Sequence, residues 1–315
     1  MSSSHPWLGF SILLLCLLSC RRIPLYEAES GVYLKLDLAF EETVRSHVGF
    51  RTPASVHVCF YDMDLHSLVA EEFLPTQGGF IYVAPGQYDM IVYSLGTEVT
   101  QVDGTDVRAL ARAFAGNAGQ VLKVSKSDGT LTRNYNVINQ PDHLFVGRLS
   151  GVHIPVHSSE DPTVVIESRM ETLLETYTLE LSKLENAASI REAHVYITGQ
   201  APSKYMWDGR FPSTPCAIFF PLSISGDEHS IQTVFNTFGR IPGVGSEVYL
   251  NVNVTTGSGA RYQWIFDVSD QFDNPDNTDS RIVITEPVVV PDDGSTGGMT
   301  PSVNDWDAEI INVPL

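Results

Sequence analysis

The sequence reads as an all-β protein, two antiparallel β-sandwiches in tandem with Greek-key connections. Three observations predict it. Apolar and polar residues alternate with period two over one segment after another, as in strands buried on one face. These segments are short and are separated by Gly, Pro, Asn and Asp turn signals. Helical spacing is almost absent, which disfavours a βαβ sheet.

In chain order, Val32, Leu34, Leu36, Leu38 and Phe40 fall on one face of a first strand, with Tyr33, Lys35 and Asp37 on the other. Val56, Val58 and Phe60 follow, then residues 67–74. The run 80–83 and the return 88–93 flank Ala84-Pro85-Gly86-Gln87, where Pro presets φ and Gly supplies freedom; this predicts a hairpin. Val107, Leu110 and Phe114 predict a short crossover helix over 106–114, between Gly104 and Gly116. Residues 123–139 are polar and weakly patterned, and 143–149 give a short strand.

The second half repeats the style, with strands expected over 152–156, 163–170, 176–184 and 193–198. The last-but-one also has few helix breakers, but Thr176-Tyr177-Thr178-Leu179 alternates and is β-prone. Pro202, Pro212 and Pro215 make a loop around Trp207. Strands resume over 217–224 and 232–238. Val248, Leu250, Val252 and Val254, then Tyr262, Trp264, Phe266 and Val268, predict a second hairpin across the turn at 256–259. After a strand-like stretch over 281–290, residues 291–298 form a Gly- and Asp-rich spacer. A terminal strand closes the chain, with Ile311, Val313 and Leu315 on one face. Tethered this way, it can pair with its own sheet or with the exposed edge of another molecule. About fifteen strands suit two sandwiches, which divides the chain into 21–155 and 156–315 behind a leader of 1–20.

The leader ends in Leu13-Leu14-Leu15-Cys16-Leu17-Leu18-Ser19-Cys20. This apolar run is too short for a bilayer span, which needs about 20 residues, and has the length of a signal-peptide core. Residues 1–7 carry no Lys or Arg, only His5, whereas signal peptides usually begin positively charged. Leu-Leu-Ser-Cys resembles the lipobox of bacterial lipoproteins, which implies cleavage before Cys20, lipid on its thiol and anchoring in the outer membrane. The competing reading is an ordinary secretory signal with an incidental cysteine.

The formal charge of −19 falls entirely after residue 20. Such an acidic chain argues against nucleic acid as a partner, because phosphate binding needs clustered Lys and Arg. It equally disfavours adhesion to anionic lipid. Charged residues at 18% and hydrophobic ones at 43% are a globular mixture. Cys59 and Cys216 lie far apart and read as two buried thiols rather than a disulfide.

No catalytic motif is present: no G-x-S-x-G, no G-x-G-x-x-G after a strand, no Walker loop and no H-E-x-x-H. No cofactor and no metal are therefore expected. His153 and His157, four apart on a strand, would sit about 13 Å apart, too far to share an ion. His57 and Cys59 share a strand face and could touch one ion, but two ligands make a weak site, and packing is favoured for Cys59. The acidic loop Asp270-Gln271-Phe272-Asp273-Asn274-Pro275-Asp276-Asn277 is the best calcium candidate, although Phe272 and Pro275 spoil EF-hand spacing and the cluster is ordinary turn chemistry. Trp207, Tyr205 and Trp264 are the aromatics that a glycan-binding lipoprotein would use. Nothing selects a Ser, His and carboxylate trio for a hydrolase.

Several stretches together carry a resemblance: Gly31-Val32-Tyr33-Leu34-Lys35-Leu36-Asp37-Leu38, Gly78-Gly79-Phe80-Ile81-Tyr82-Val83-Ala84-Pro85-Gly86, Pro141-Asp142-His143-Leu144-Phe145-Val146, Phe235-Asn236-Thr237-Phe238-Gly239, Phe266-Asp267-Val268-Ser269-Asp270-Gln271-Phe272 and the tail to Leu315. In this order, behind the lipobox, they resemble the fimbrillin-like lipoproteins of Bacteroidales, a family of pilus stalk, anchor and tip subunits. The resemblance implies transthyretin-like domains, export to the cell surface, no enzymatic activity, and assembly with other fimbrial subunits by β-strand exchange. In polymerising members an arginine-specific protease removes the first strand; here Arg45 or Arg51 would be the site. Anchor-type members keep their lipid uncut, and Cys20 followed by Arg21-Arg22 fits an anchor or accessory subunit. The donor strand would carry Ile311, Val313 and Leu315.

Overall fold

The computed structural model describes residues 31–40, 52–126, 132–156, 163–224, 229–241, 247–291 and 306–313. Cys20, Arg45, Arg51 and Leu315 lie outside them. The first strands are β1 (Gly31–Phe40), β2 (Ser55–Asp62), β3 (Leu68–Pro75), β4 (Gly78–Tyr82), β5 (Gly86–Ser94) and β6 (Thr100–Asp103). Next come β7 (Arg112–Ala115), β8 (Asn117–Lys126), β9 (Thr132–Asn139), β10 (Phe145–Ile154) and β11 (Thr163–Thr172). They are followed by β12 (Glu175–Leu181), β13 (Leu184–Glu185), β14 (Ile190–Gln200), β15 (Ser203–Tyr205), β16 (Cys216–Leu222) and β17 (Ile231–Thr237). The last are β18 (Tyr249–Thr256), β19 (Arg261–Asp267), the helix α1 (Ser269–Asp273), β20 (Arg281–Ile284), β21 (Val288–Val289) and β22 (Trp306–Asn312).

The all-β expectation holds. A seven-stranded sheet in the order β3-β2-β5-β10-β11-β1-β4 curls around a core of Val32, Leu34, Leu36, Val58, Phe60, Met90, Phe145, Ile166 and Met170. Its first strand is the alternating segment at the start of the chain. Val32 and Leu34 are fully buried and Leu36 nearly so, each worth about 1.5–3 kcal/mol of burial. β11 bends between layers: Thr163 to Met170 pair with β1, whereas Glu171 and Thr172 pair with β10.

A second seven-stranded sheet, β19-β18-β14-β16-β9-β8-β22, faces a three-stranded sheet, β17-β12-β20. Val195, Ile197, Phe220, Leu250, Val252 and Trp264 from the former meet Leu179, Leu181, Phe235 and Ile282 from the latter. Cys59, Tyr61, Ile91 and Tyr93 on the outward face of the first sheet join this same core, so the two large sheets share it. Asp142 clamps the junction, accepting hydrogen bonds from the backbone N–H groups of Glu98 (2.5 Å), Val99 (3.2 Å) and Thr100 (2.6 Å). A buried ion pair between Arg108 and Asp89, with the Arg108 guanidinium 4.2 Å above the Trp207 ring, adds a second clamp.

Several expectations need correction. Strands at 80–83 and 88–93 both form, but β4 pairs with β1 while β5 pairs with β2 and β10, so they are not a hairpin. The Ala84-Pro85 link carries the chain from one layer to the other, with the Tyr88 hydroxyl donating to the Ala84 carbonyl at 2.9 Å. Residues 105–110 form turns around a bridge at Val107 instead of a helix, and β7 already begins at Arg112. There Val107 N–H bonds Gly104 O, Leu110 N–H bonds Val107 O, and Val107 bridges to Ser67. The weakly patterned 123–139 stretch holds much of the β8–β9 pair. The hairpin expected around 256–259 is present as β18–β19.

Pairing is also mixed rather than wholly antiparallel. β1–β11, β9–β16, β12–β20 and β13–β21 run parallel, and each joins strands distant in the chain, where no tight turn imposes antiparallel direction. The sheets do not divide at residues 155–156: β8 and β9 lie in the second large sheet, and β11 lies in the first.

Candidate functional site: the terminal strand and its groove

β22 is the last strand of the second large sheet and pairs antiparallel with β8, from Trp306 opposite Lys126 to Asn312 opposite Gln120. The sheet curls until its two edges, β19 and β22, approach one another. In the concavity lies a small core of Leu122, Val124, Tyr135, Val137, Tyr196, Ala217, Tyr249 and Ile265, against which Ala308 and Ile310 pack. Leu122 is fully buried and Val124 nearly so.

β8 offers β22 its ladder because its alternating Leu122 and Val124 point inward while Lys123 and Ser125 do not, the strand pattern that its polar neighbours obscure. At its start the register against β9 shifts between Asn117 and Val121. Gly119, at φ +70°, sits in this bulge, and its carbonyl accepts the Val313 N–H at 2.8 Å. Gln120 donates to the Asn312 side chain at 3.3 Å and accepts from the Tyr196 hydroxyl at 3.1 Å. The Lys123–Glu309 pair at 3.5 Å is solvent-exposed on both sides and adds little. The strand is therefore held by its ladder and by one apolar face.

That face is not the one expected. Ile311 and Val313 are 42% and 46% exposed and point away from the groove; Ala308 and Ile310 fill it. Sequence gives the period but not its phase, because both faces of this short segment carry an apolar residue near Ile310 and Ile311.

The other candidates distribute as follows. Cys59 and Cys216 are free, buried thiols. The 270–277 loop is built as a turn: α1 covers Ser269–Asp273, Asp273 pairs with Arg240, and the Asn277 side chain donates to the Gln271 and Arg281 carbonyls at 2.9 Å each. Trp264 is 3% exposed in the shared core and cannot meet a ligand. Tyr205 lies under Arg210, 4.0 Å away, and Trp207 under Arg108, so the aromatic trio is not brought together for glycan. His57 and Cys59 do lie together, and Glu71, which sequence reasoning did not include, joins them from β3; its signal was only the cross-strand register. Among the described residues no helix is long and apolar enough to cross a membrane.

A family model described as a domain of unknown function, DUF5119, matches residues 20–221. The chain belongs to the DUF5119 family. This DUF5119 chain is 25% identical over 240 residues to a candidate fimbrium anchoring subunit, Fim4B, of Bacteroides ovatus. The match covers 74% of the chain but 65% of that relative, so the chain spans less than two thirds of its length. The crystal structure of a candidate adhesin from Bacteroides ovatus has the same fold, with a TM-score of 0.57 and 19% identity over 83% of this chain and 94% of that one. The fimbrillin-like resemblance read from the motifs is borne out by these matches.

Proposed function

We propose that this DUF5119 chain is a non-enzymatic, surface-exposed outer-membrane lipoprotein that serves in adhesion as an anchor or accessory subunit of a fimbrium. It is held by lipid on Cys20 and joins other fimbrial subunits by β-strand exchange. The observation that carries the reading is β22: a terminal strand at a sheet edge, held by one ladder and one narrow apolar face, behind a Gly-rich spacer. An edge of this kind accepts an equivalent strand from another chain with the same hydrogen bonds and the same pocket. The name of the Bacteroides ovatus relative points the same way.

β1 supplies the complementary half of the reading. It lies between β11 and β4, and its removal after Arg45 or Arg51 would open both ladders and the pocket of Val32, Leu34 and Leu36. A donor strand carrying apolar residues at alternate positions would fill it. An anchor that keeps β1 would instead accept a neighbour along β8 in place of β22.

The test compares the intact mature chain with one trimmed after Arg45, each mixed with a peptide of residues 303–315. Size-exclusion chromatography and peptide binding are read together. Capture by the trimmed chain alone identifies a polymerising subunit that exchanges β1. Capture by the intact chain, in competition with β22, fits the anchor that keeps β1. If neither binds and trimming only unfolds the protein, strand exchange is refuted.

A further inference from the structure

We propose that His57, Cys59 and Glu71 form a binding site for a divalent metal ion of borderline softness, zinc being the type, with a water as fourth ligand. One donor atom from each of the three lies within 4.8 Å of the other two, and no other such group of His, Cys, Asp and Glu occurs among the described residues. Strand geometry puts them there. His57 and Cys59 are two apart on β2 and share a face, and the antiparallel register sets Glu71 of β3 directly opposite Cys59.

The state of the imidazole points to a ligand. His57 is buried, and its Nδ1 lies 2.5 Å from the Tyr93 hydroxyl. In the tautomer whose Nδ1–H donates to Tyr93, the lone pair is left on Nε2, the arrangement by which an outer hydrogen bond fixes a metal-binding ring. In that tautomer Nε2 is buried without a donor of its own and faces a Glu71 carboxylate oxygen 3.1 Å away, two electron-pair donors that a cation between them would satisfy. Phe73 stacks on the ring at 4.0 Å and fixes its plane.

Tetrahedral zinc with bonds of about 2.0–2.3 Å sets its ligand atoms about 3.3–3.7 Å apart. The Nε2–carboxylate spacing of 3.1 Å is already there, and the widest pair must close by about 1 Å. The mixed nitrogen, sulfur and oxygen donors suit zinc rather than calcium or magnesium, which take oxygen. Glu71 is 46% exposed, so the ion enters from its side, where a water completes the shell. On binding, the Cys59 S–H bond breaks, a sulfur–metal bond forms, and the proton leaves to solvent. The ion would tie edge strand β3 to β2, a role distinct from strand exchange at β22.

The experiment titrates metal-free full chain with Co2+ and follows thiolate-to-cobalt absorption in the near ultraviolet, then displaces the cobalt with Zn2+. The expected result is saturation at one ion per chain. Cys59→Ser removes the absorption, and Glu71→Gln, at a half-exposed position that leaves the core intact, weakens binding by about tenfold or more. Absence of thiolate absorption at saturating Co2+, its persistence in Cys59→Ser, or equal affinity in Glu71→Gln each overturns the proposal. Should Cys59→Ser fail to fold, the Glu71→Gln affinity decides alone.

Discussion

Ile310→Asp and Ile311→Asp, one residue apart on β22, are expected to have sharply unequal consequences. Ile310 is half-buried against the small core that contains Leu122 and Tyr196, whereas Ile311 is 42% exposed. Losing the half-buried apolar side chain costs about 1 kcal/mol. Setting a carboxyl group against an apolar surface adds about 1–3 kcal/mol. The docking equilibrium of β22 therefore shifts by about 2–4 kcal/mol, or roughly 30- to 700-fold. Ile311→Asp removes no buried contact and stays within about 0.5 kcal/mol. Hydrogen exchange of the β8 amides that bond to β22 reads the difference: in Ile310→Asp they exchange faster by that factor, while those bonded to β9 are unchanged. Added 303–315 peptide would then label the freed edge of Ile310→Asp and not of Ile311→Asp. Equal exchange in the two variants, or a larger effect at Ile311, would refute the assignment of the inward face.

Leu34→Ala leaves a cavity at a fully buried position of β1 and lowers stability by about 2–5 kcal/mol in chemical denaturation, unlike Lys35→Ala next to it. Gly78→Ala is destabilising by more than about 1 kcal/mol, because φ is +108° and the new Cβ would lie 1.8 Å from the Leu34 carbonyl oxygen; a normal melting temperature would contradict the β1–β4 register. Asp142→Ala strands the amides of Glu98, Val99 and Thr100 and costs about 2–4 kcal/mol, with faster exchange confined first to residues 98–100. Burial depresses the His57 pKa from 6.5, so between that value and the folded one the unfolded chain binds more protons than the native protein. The stability associated with His57 is thus complete above pH 6.5 and is lost as pH falls toward the folded pKa. His57→Gln should flatten that part of the pH–stability curve, and an unchanged slope would count against a buried neutral ring.

Local pattern carried most of the strands, because one-sided burial writes itself into a chain as period-two alternation. β1, β14 and the β18–β19 hairpin were legible for that reason. β8 was not: only Leu122 and Val124 are buried deeply in it, and its other positions are polar enough to mimic a loop. The short helix expected over 106–114 failed because tertiary contacts outweighed weak helical spacing; Arg108 is drawn into an ion pair with Asp89, and Val107 bridges to Ser67. The candidate metal ligands were two-thirds visible as His57 and Cys59 on one strand face, while Glu71 depended on a register that no local signal sets.

By itself the sequence determined the all-β class, the terminal strand and the family resemblance, since each rests on the order and spacing of neighbours along the chain. Only the tertiary structure decided which strands pair. Turns such as Ala84-Pro85-Gly86 specify that the chain changes direction, not whether it returns beside itself or crosses to the opposite layer. It also decided that Ala308 and Ile310, rather than Ile311 and Val313, face the core, because a strand's phase is set by the surface it meets.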